Sequence, residues 1–147
     1  MKRAAYTMIA LLVLVGSMAV AAQAQNSGRN EMRANIPFEF HVGNQTLTSG
    51  EYTVRQINPS SDRVVLQLRS QDGKSVATIQ MNSVIARAPQ TASLTFNRYG
   101  NQYFFAQAWL DGDSSGLEAS KSGAERAAQS EMAGIKAKTQ MVALRAR

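Results

Sequence analysis

The chain has 147 residues, no cysteine and a formal net charge of +6, from 16 lysines and arginines against 10 aspartates and glutamates. This length allows one domain, and the lack of cysteine excludes disulfides, ordinary structural zinc sites and a lipid attached through cysteine. The positive charge is mild and scattered, so it allows an anionic partner but does not indicate specific nucleic-acid binding.

Residues 1–24 have the pattern of a Sec-type signal peptide. Lys2 and Arg3 form a positive start, an apolar run follows at residues 8–15, and residues 22–24 (AQA) fit a cleavage site. A second cleavage site at residues 20–22 and an uncleaved membrane anchor are the alternatives. The run is shorter than the ~20 residues of a membrane-spanning helix, and no later run is longer. We therefore predict cleavage after Ala24 and a secreted or periplasmic protein without a transmembrane span.

Residues 25–110 are predicted to form an antiparallel β domain. Six to eight short stretches between residues 36 and 110 alternate apolar and polar side chains, with turn signals roughly every 8–12 residues. Asp72-Gly73 is the strongest hairpin turn among them. Pro37 cannot donate to a strand ladder, so the first strand starts near it or lies at an edge. This spacing predicts an all-β fold, either a sandwich or a small barrel.

The most aromatic stretch, residues 94–110, is predicted to form a β-hairpin around Gly100 in the centre of the sheet. On its second arm, residues 103, 105, 107 and 109 share one face and residues 104, 106, 108 and 110 share the other. The aromatic side chains either fill the core or form a stacking platform for sugar rings or bases. The candidate ligand-binding residues are Tyr99, Tyr103 and Trp109, with Arg98 as an adjacent cation. We expect Tyr99, at the tip, to be the most exposed.

After Leu110 the composition changes. Residues 111–122 are predicted to be a loop and residues 123–147 a C-terminal helix with a fraying end. Ser122 and Glu125 fit a capping box, and a weak apolar stripe predicts a helix from about residue 124 to about residue 144. This helix would cover an open part of the sheet, or bind an anionic membrane or a partner.

Two other features have the residue types of a chemical site. His41 is the only histidine, with Glu39 on the same strand face, and a hydrolase would need a nucleophile such as Ser49 or Ser61 brought to it in space. The loop residues Asp111, Asp113 and Ser115 imitate the start of a calcium loop, but its twelfth position is Ser122 instead of glutamate. No phosphate-binding or dinucleotide-binding motif is present, so we expect no cofactor.

The chain resembles a family of small secreted proteins of unknown function from soil bacteria. The resemblance lies in FxFxVGNxxL at residues 38–47, GEYTV at 50–54, DGKS at 72–75, LxFxRYGxxYF at 94–104 with Trp109, and KSxAER at 121–126. The chain departs from the family at Thr48-Ser49, where the family has Pro-Ala, and at Asn97, where the family often has histidine. The resemblance implies secretion and a compact β fold, and no activity.

Together these features predict a non-enzymatic binding or interaction domain of the cell envelope. Its ligand would be an envelope glycan, an anionic polymer or another envelope protein. One alternative is a structural subunit that self-associates through a strand edge or the tail helix. The other is a hydrolase that uses His41.

Overall fold

The computed structural model describes residues 31–58, 63–85, 91–110 and 115–146. In these residues the chain forms ten strands and one helix: β1 Glu31–Ile36, β2 Phe40–Val42, β3 Gln45–Leu47, β4 Gly50–Gln56, β5 Val64–Ser70, β6 Val76–Val84, β7 Ser93–Tyr99, β8 Gln102–Trp109, β9 Gly116–Ala119, α1 Gly123–Glu131 and β10 Lys138–Ala146. The predicted signal peptide and its cleavage sites lie outside the described residues.

Eight of the strands close into an antiparallel β-barrel. Their order around the barrel is β1, β4, β5, β6, β9, β8, β7 and β10, and β10 pairs again with β1. The barrel is therefore closed between the first and the last strand of the described chain. The predicted all-β fold with a C-terminal helix is confirmed, in its barrel form.

Apolar side chains fill the barrel and alternate with polar ones along each strand. Eight strands enclose a space just wide enough for side chains. The largest fully buried apolar side chains of the described residues are Tyr52, Phe40, Phe96, Ile36, Leu66, Leu68, Leu94 and Val54. Phe40 packs edge to face against Tyr52 and Phe96, at centroid distances of 5.2 and 5.4 Å. Because side chains fill the interior, the candidate ligand sites lie on the outer face and the rim of the barrel.

The hairpin formed by β2 and β3 completes one rim. Strand β9 is only four residues long and pairs with residues 81–84 of β6 and with Gln107 and Ala108 of β8. The first half of β8 pairs on that side with β2 instead, through His41 and Phe104. On β3, the side-chain amide of Gln45 donates to the carbonyl of Val76 on β6 (3.4 Å). The hairpin thus fills the gap that the short β9 leaves between β6 and β8.

The first strand begins earlier than the alternation around Pro37 indicated. β1 ends at Ile36 and β2 begins at Phe40, so the chain is not one continuous strand through Pro37. The missing donor of proline explains this break. Met32 and Ala34 of β1 are buried, whereas Arg33 between them is exposed.

Helix α1 crosses the outside of the barrel because the chain must pass β8 and β7 on its way from β9 to β10. Ala128 of α1 and Met132, the residue that follows the helix, pack on Tyr99 of β7 and Phe104 of β8, in a cluster separate from the barrel core. The side-chain oxygen of Ser122 accepts from the Glu125 N–H (3.1 Å), which confirms the predicted N-cap. The helix therefore covers the outer side of the β7–β8 hairpin.

The rest of the tail is a strand, and the prediction of a helix to about residue 144 was wrong there. The helix ends at Glu131, and residues 138–146 form β10. Gly134 has a φ of 97°, in the left-handed region that terminates helices. Val142 and Leu144 are buried and Arg145 is exposed, which is the two-residue period of a strand. The predicted loop at residues 111–122 also contains β9, so the β domain does not end at residue 110.

The predicted hairpin turn at Asp72-Gly73 joins β5 to β6. Gly73 has a φ of 72°, and its N–H donates to the carbonyl of Ser70 (2.9 Å). The Ser70 hydroxyl donates to the Asp72 carboxylate (2.6 Å), and the Lys74 N–H donates to the same oxygen (3.0 Å). The Ser70 hydrogen bond, followed by the Lys74 backbone bond, lowers the pKa of Asp72 below its ordinary value of 3.8.

Candidate functional site

Strands β7 and β8 form the predicted hairpin, with a tight turn at Gly100 and Asn101, and each strand is paired on both sides. Gly100 has a φ of 61° at the first turn position, as in the type II′ turns that suit two-residue hairpins. The Nε of Arg98 donates to the Gly100 carbonyl (2.7 Å), and its guanidinium carbon lies 5.3 Å from the centroid of the Tyr103 ring. Tyr103 in turn stacks on Phe38 at 3.9 Å. Arg98 is thereby held in place at the rim of the barrel.

A β-bulge separates the aromatic residues that were predicted to share one face. Thr95 pairs with Gln107 and Phe96 with Phe105, so Ala106 is an extra residue in β8. Phe105 and Ala108 consequently both belong to the barrel core. The predicted common face of residues 103, 105, 107 and 109 was therefore wrong beyond residue 105.

Tyr99 and Trp109 are both buried, in two different places. Tyr99 is only 5% exposed beneath α1, which contradicts the expectation that it is the most exposed of the candidates. Trp109 is 6% exposed and lies over Gly116 at the other end of β8. Of the four predicted ligand-binding residues, the structure brings Arg98 and Tyr103 into contact, but it does not form one aromatic platform from all of them.

The carboxylate of Glu125 links α1 to the hairpin. It is 3% exposed, and it accepts from the Asn97 amide (2.8 Å) and the Tyr99 hydroxyl (3.3 Å). In a complete capping box this side chain would bond to the backbone of Ser122. Its hydrogen bonds to β7 indicate that Glu125 positions the helix on the barrel.

A groove lies between the hairpin tip and the segment that joins α1 to β10, and we call it the tip groove. Its volume is about 310 Å³. The apolar part of its lining includes Tyr99, Met132 and Ile135, and Ile135 is 63% exposed. Three cations also line it, namely Arg98, Lys136 and Lys138. The sequence analysis predicted that Ile135, Lys136 and Lys138 lie on a helix. Gly134 was the one sequence signal for the turn that brings them to the hairpin.

A second basic surface covers the outside of β10, β1, β4 and β5, and we call it the basic face. It contains Arg33, Arg55, Arg69 and Arg145. Arg145 is directly opposite Arg33, Arg33 is opposite Thr53, and Thr53 is opposite Arg69. Two adjoining depressions of about 350 and 450 Å³ share Arg33 in their linings, and each also contains one carboxylate, Glu31 in the first and Glu51 in the second. Sequence reasoning missed this surface, because its arginines become neighbours only through the pairing of β1 with β10 and β4.

His41 has contacts that hold the β2–β3 hairpin in place. Its Nδ1 is 3.0 Å from the Thr46 hydroxyl on β3, and its ring stacks on Phe104 at 4.6 Å. Glu39 is exposed in the segment between β1 and β2. Ser61, one of the two nucleophiles considered for a hydrolase, lies outside the described residues.

The predicted calcium loop lies largely outside the described part of the chain. Only Ser115 is described, and it is exposed, whereas Asp111 and Asp113 are not described. Across the four described ranges, no three His, Asp or Glu side chains are grouped as metal ligands would be. In the same ranges, no helix has the length and apolar character needed to cross a membrane.

Comparisons of the chain with protein-family models, curated proteins and solved structures give no significant match. The resemblance to secreted proteins of soil bacteria therefore stays a prediction.

Proposed function

We propose that this protein is an exported, non-enzymatic binding domain of the cell envelope whose ligand is an anionic polymer. The observation that carries the proposal is the directly opposed pair of Arg33 and Arg145 on the basic face. The expected signal peptide and the net positive charge fit such a role.

In the absence of a ligand, the opposed pair of Arg33 and Arg145 destabilises the folded protein. Residues directly opposite in a sheet have Cβ atoms about 4.5–5.5 Å apart, and like charges there are destabilising. Glu51 lines the same depression as this pair, but within the described residues no hydrogen bond or ion pair joins it to Arg33 or Arg145. A carboxylate, sulfate or phosphate group between the two guanidinium groups would replace the repulsion with two charge-assisted contacts.

The basic face is extended, which favours a polymer over a small anion. Arg145, Arg33 and Arg69 lie in one row across four adjacent strands. Neighbouring strands are about 4.8 Å apart, so the row is about 14 Å long. Arg55 lies beside this row, and its Nε donates to Gln67 (2.9 Å), which orients its guanidinium group. A chain with repeated anionic groups would contact Arg145, Arg33 and Arg69 along the row, whereas Arg55 is directly opposite Glu31.

Self-association through a strand edge has less support. The eight barrel strands close on each other, which removes their edges. In the described residues, β3 pairs with a strand on one side only, and Gln45 at its start is bonded to β6. A mature protein that stays monomeric in sedimentation at increasing concentration would exclude the assembly alternative.

The test is titration of the mature protein, residues 25–147, with polygalacturonate as an anionic polysaccharide and dextran as a neutral one. We expect binding to polygalacturonate only, with an affinity that falls as salt rises. The double variant R33Q/R145Q should bind at least about tenfold more weakly, equivalent to roughly 1.4 kcal/mol. The matched control K136Q/K138Q removes the same charge from the tip groove and should bind nearly as well as the wild type.

Thermal unfolding of the same variants separates binding from folding. Since R33Q/R145Q removes a repulsion, it should be at least as stable as the wild type. Equal losses of binding in the two double variants would mean that only net charge matters and would contradict the proposal. If the mature protein hydrolyses the polysaccharide and His41→Ala abolishes this activity without unfolding the domain, the hydrolase alternative is correct instead.

A further inference from the structure

The tip groove combines an exposed apolar side chain with three cations. Ile135 is 63% exposed, and it lies in the segment that follows the left-handed turn at Gly134. Met132, beside it, is partly buried against Tyr99 and lies near the hairpin turn, since a Cβ added at Gly100 would be 3.5 Å from its sulfur. These side chains provide a concave apolar surface next to solvent.

The cations of the groove include a second directly opposed like-charge pair. Lys138 on β10 is opposite Arg98 on β7, and Lys136 lines the same groove. Arg98 is oriented by its bond to the Gly100 carbonyl (2.7 Å) and by the Tyr103 ring below its guanidinium group. None of the described residues that line the groove is acidic. An anionic group at this position would relieve the repulsion and would find the donors of Arg98 already oriented.

The size of the groove favours a small ligand. Its volume of about 310 Å³ lies at the lower end of the roughly 300–1,000 Å³ that is typical of ligand pockets. An adjoining depression of about 480 Å³ shares Tyr99, Ile135 and Lys136 with it and extends the surface beyond Ile135. A membrane surface would require a broad apolar face, whereas Ile135 is the only strongly exposed aliphatic residue of this groove.

We propose that the tip groove binds a small anionic amphiphile, with a carboxylate at Arg98, Lys136 and Lys138 and an apolar body against Met132 and Ile135. This site is separate from the basic face and does not depend on polymer binding. The ligand is recognised by its charge and by its apolar chain together. A medium-chain fatty acid has both features.

The experiment titrates the mature protein with monomeric decanoate and, as an uncharged match, decanol. Binding is followed by calorimetry and by NMR shifts of backbone amides. We expect saturable one-to-one binding of decanoate, with shifts at Gly100, Asn101 and Ile135, and at least about tenfold weaker binding of decanol. Both K136Q/K138Q and Ile135→Ser should weaken decanoate binding by about tenfold or more.

The variant R33Q/R145Q is the matched control, because it removes the same charge from the other surface and should leave decanoate binding unchanged. Thermal melts establish that each variant is folded. The proposal is overturned by decanol binding as tightly as decanoate, by equal losses in the two double variants, or by the absence of saturable shifts at the hairpin tip. Binding to vesicles that contain anionic lipid, without binding of monomeric decanoate, would identify a membrane surface instead and would also overturn it.

Discussion

Gly116→Ala should destabilise the barrel through one steric contact. A Cβ on Gly116 would lie 2.6 Å from Cζ2 of Trp109 and 2.8 Å from Cε2 and Cη2 of the same ring, closer than real Cβ contacts. Trp109 is 6% exposed, so its ring has no free path into solvent. Either the indole or the start of β9 must move to admit the methyl group.

The expected size of the effect follows from this overlap. The φ of Gly116 is outside the left-handed region, so alanine adds no backbone strain. Forcing a methylene into a packed site costs about 1–3 kcal/mol, and the lower entropy of the unfolded alanine chain offsets about 0.4–1 kcal/mol. A domain of this size loses about 3–5 °C of melting temperature per kcal/mol. The midpoints of these ranges leave a net cost of about 1.3 kcal/mol, so we expect the melting temperature to fall by about 5 °C.

Trp109 is the only tryptophan in the chain, so its fluorescence reports directly on the contact. The Gly116→Ala variant should show a shifted emission maximum and a lower melting temperature. Gly123→Ala is the matched control, since its added Cβ meets nothing within 4 Å. In a double-mutant cycle with Trp109→Leu, the cost of Gly116→Ala should shrink. A Gly116→Ala protein that melts and fluoresces like the wild type would refute the proposed packing of the indole on β9.

Three further changes test the helix anchor, a buried hydroxyl and the β5–β6 turn. Glu125→Ala removes the acceptor of Asn97 and Tyr99 and should cost roughly 2–3 kcal/mol in chemical unfolding, with a smaller loss for Glu125→Gln; an unchanged midpoint for Glu125→Ala would contradict the anchoring role. Ser93→Ala should raise the melting temperature slightly, because the buried Ser93 hydroxyl has no partner among the described residues; a clear drop would reveal an unrecognised hydrogen bond. The pKa of Asp72 is lower in the folded protein than in the unfolded chain, so its charged form stabilises the fold at pH values above the pKa of the unfolded chain. This stabilisation is lost as the pH falls through the pKa of the folded protein, which is below 3.8. Asp72→Asn should therefore be less stable than the wild type at neutral pH, and acid titration should bring the two proteins together below that pH; a difference that is constant with pH would exclude the linkage.

The strands with a strong local signal were predictable, and those with a weak signal were not. The β7–β8 hairpin has long aromatic arms and a glycine at its turn, so its alternation is clear from the residues alone. In β1, by contrast, the inward positions include Ala34, which is a weak signal for a strand. The few apolar residues at positions 138–146 fit the spacing of a helix and that of a strand equally well. The segment forms a strand because it pairs with β1 and β7. Local propensity was overridden by closure of the barrel.

The candidate sites were less predictable than the fold, because both depend on register. Arg33 and Arg145 come from opposite ends of the described chain, and only the pairing of β1 with β10 makes them neighbours. Lys138 meets Arg98 through the same strand, on its other side. A register shift of one residue in β10 would move Lys138 and Arg145 to the opposite faces of the sheet and separate them from Arg98 and Arg33. The buried positions of Val142 and Leu144 oppose such a slip, so the side chains that close the barrel also hold the two like-charge pairs together.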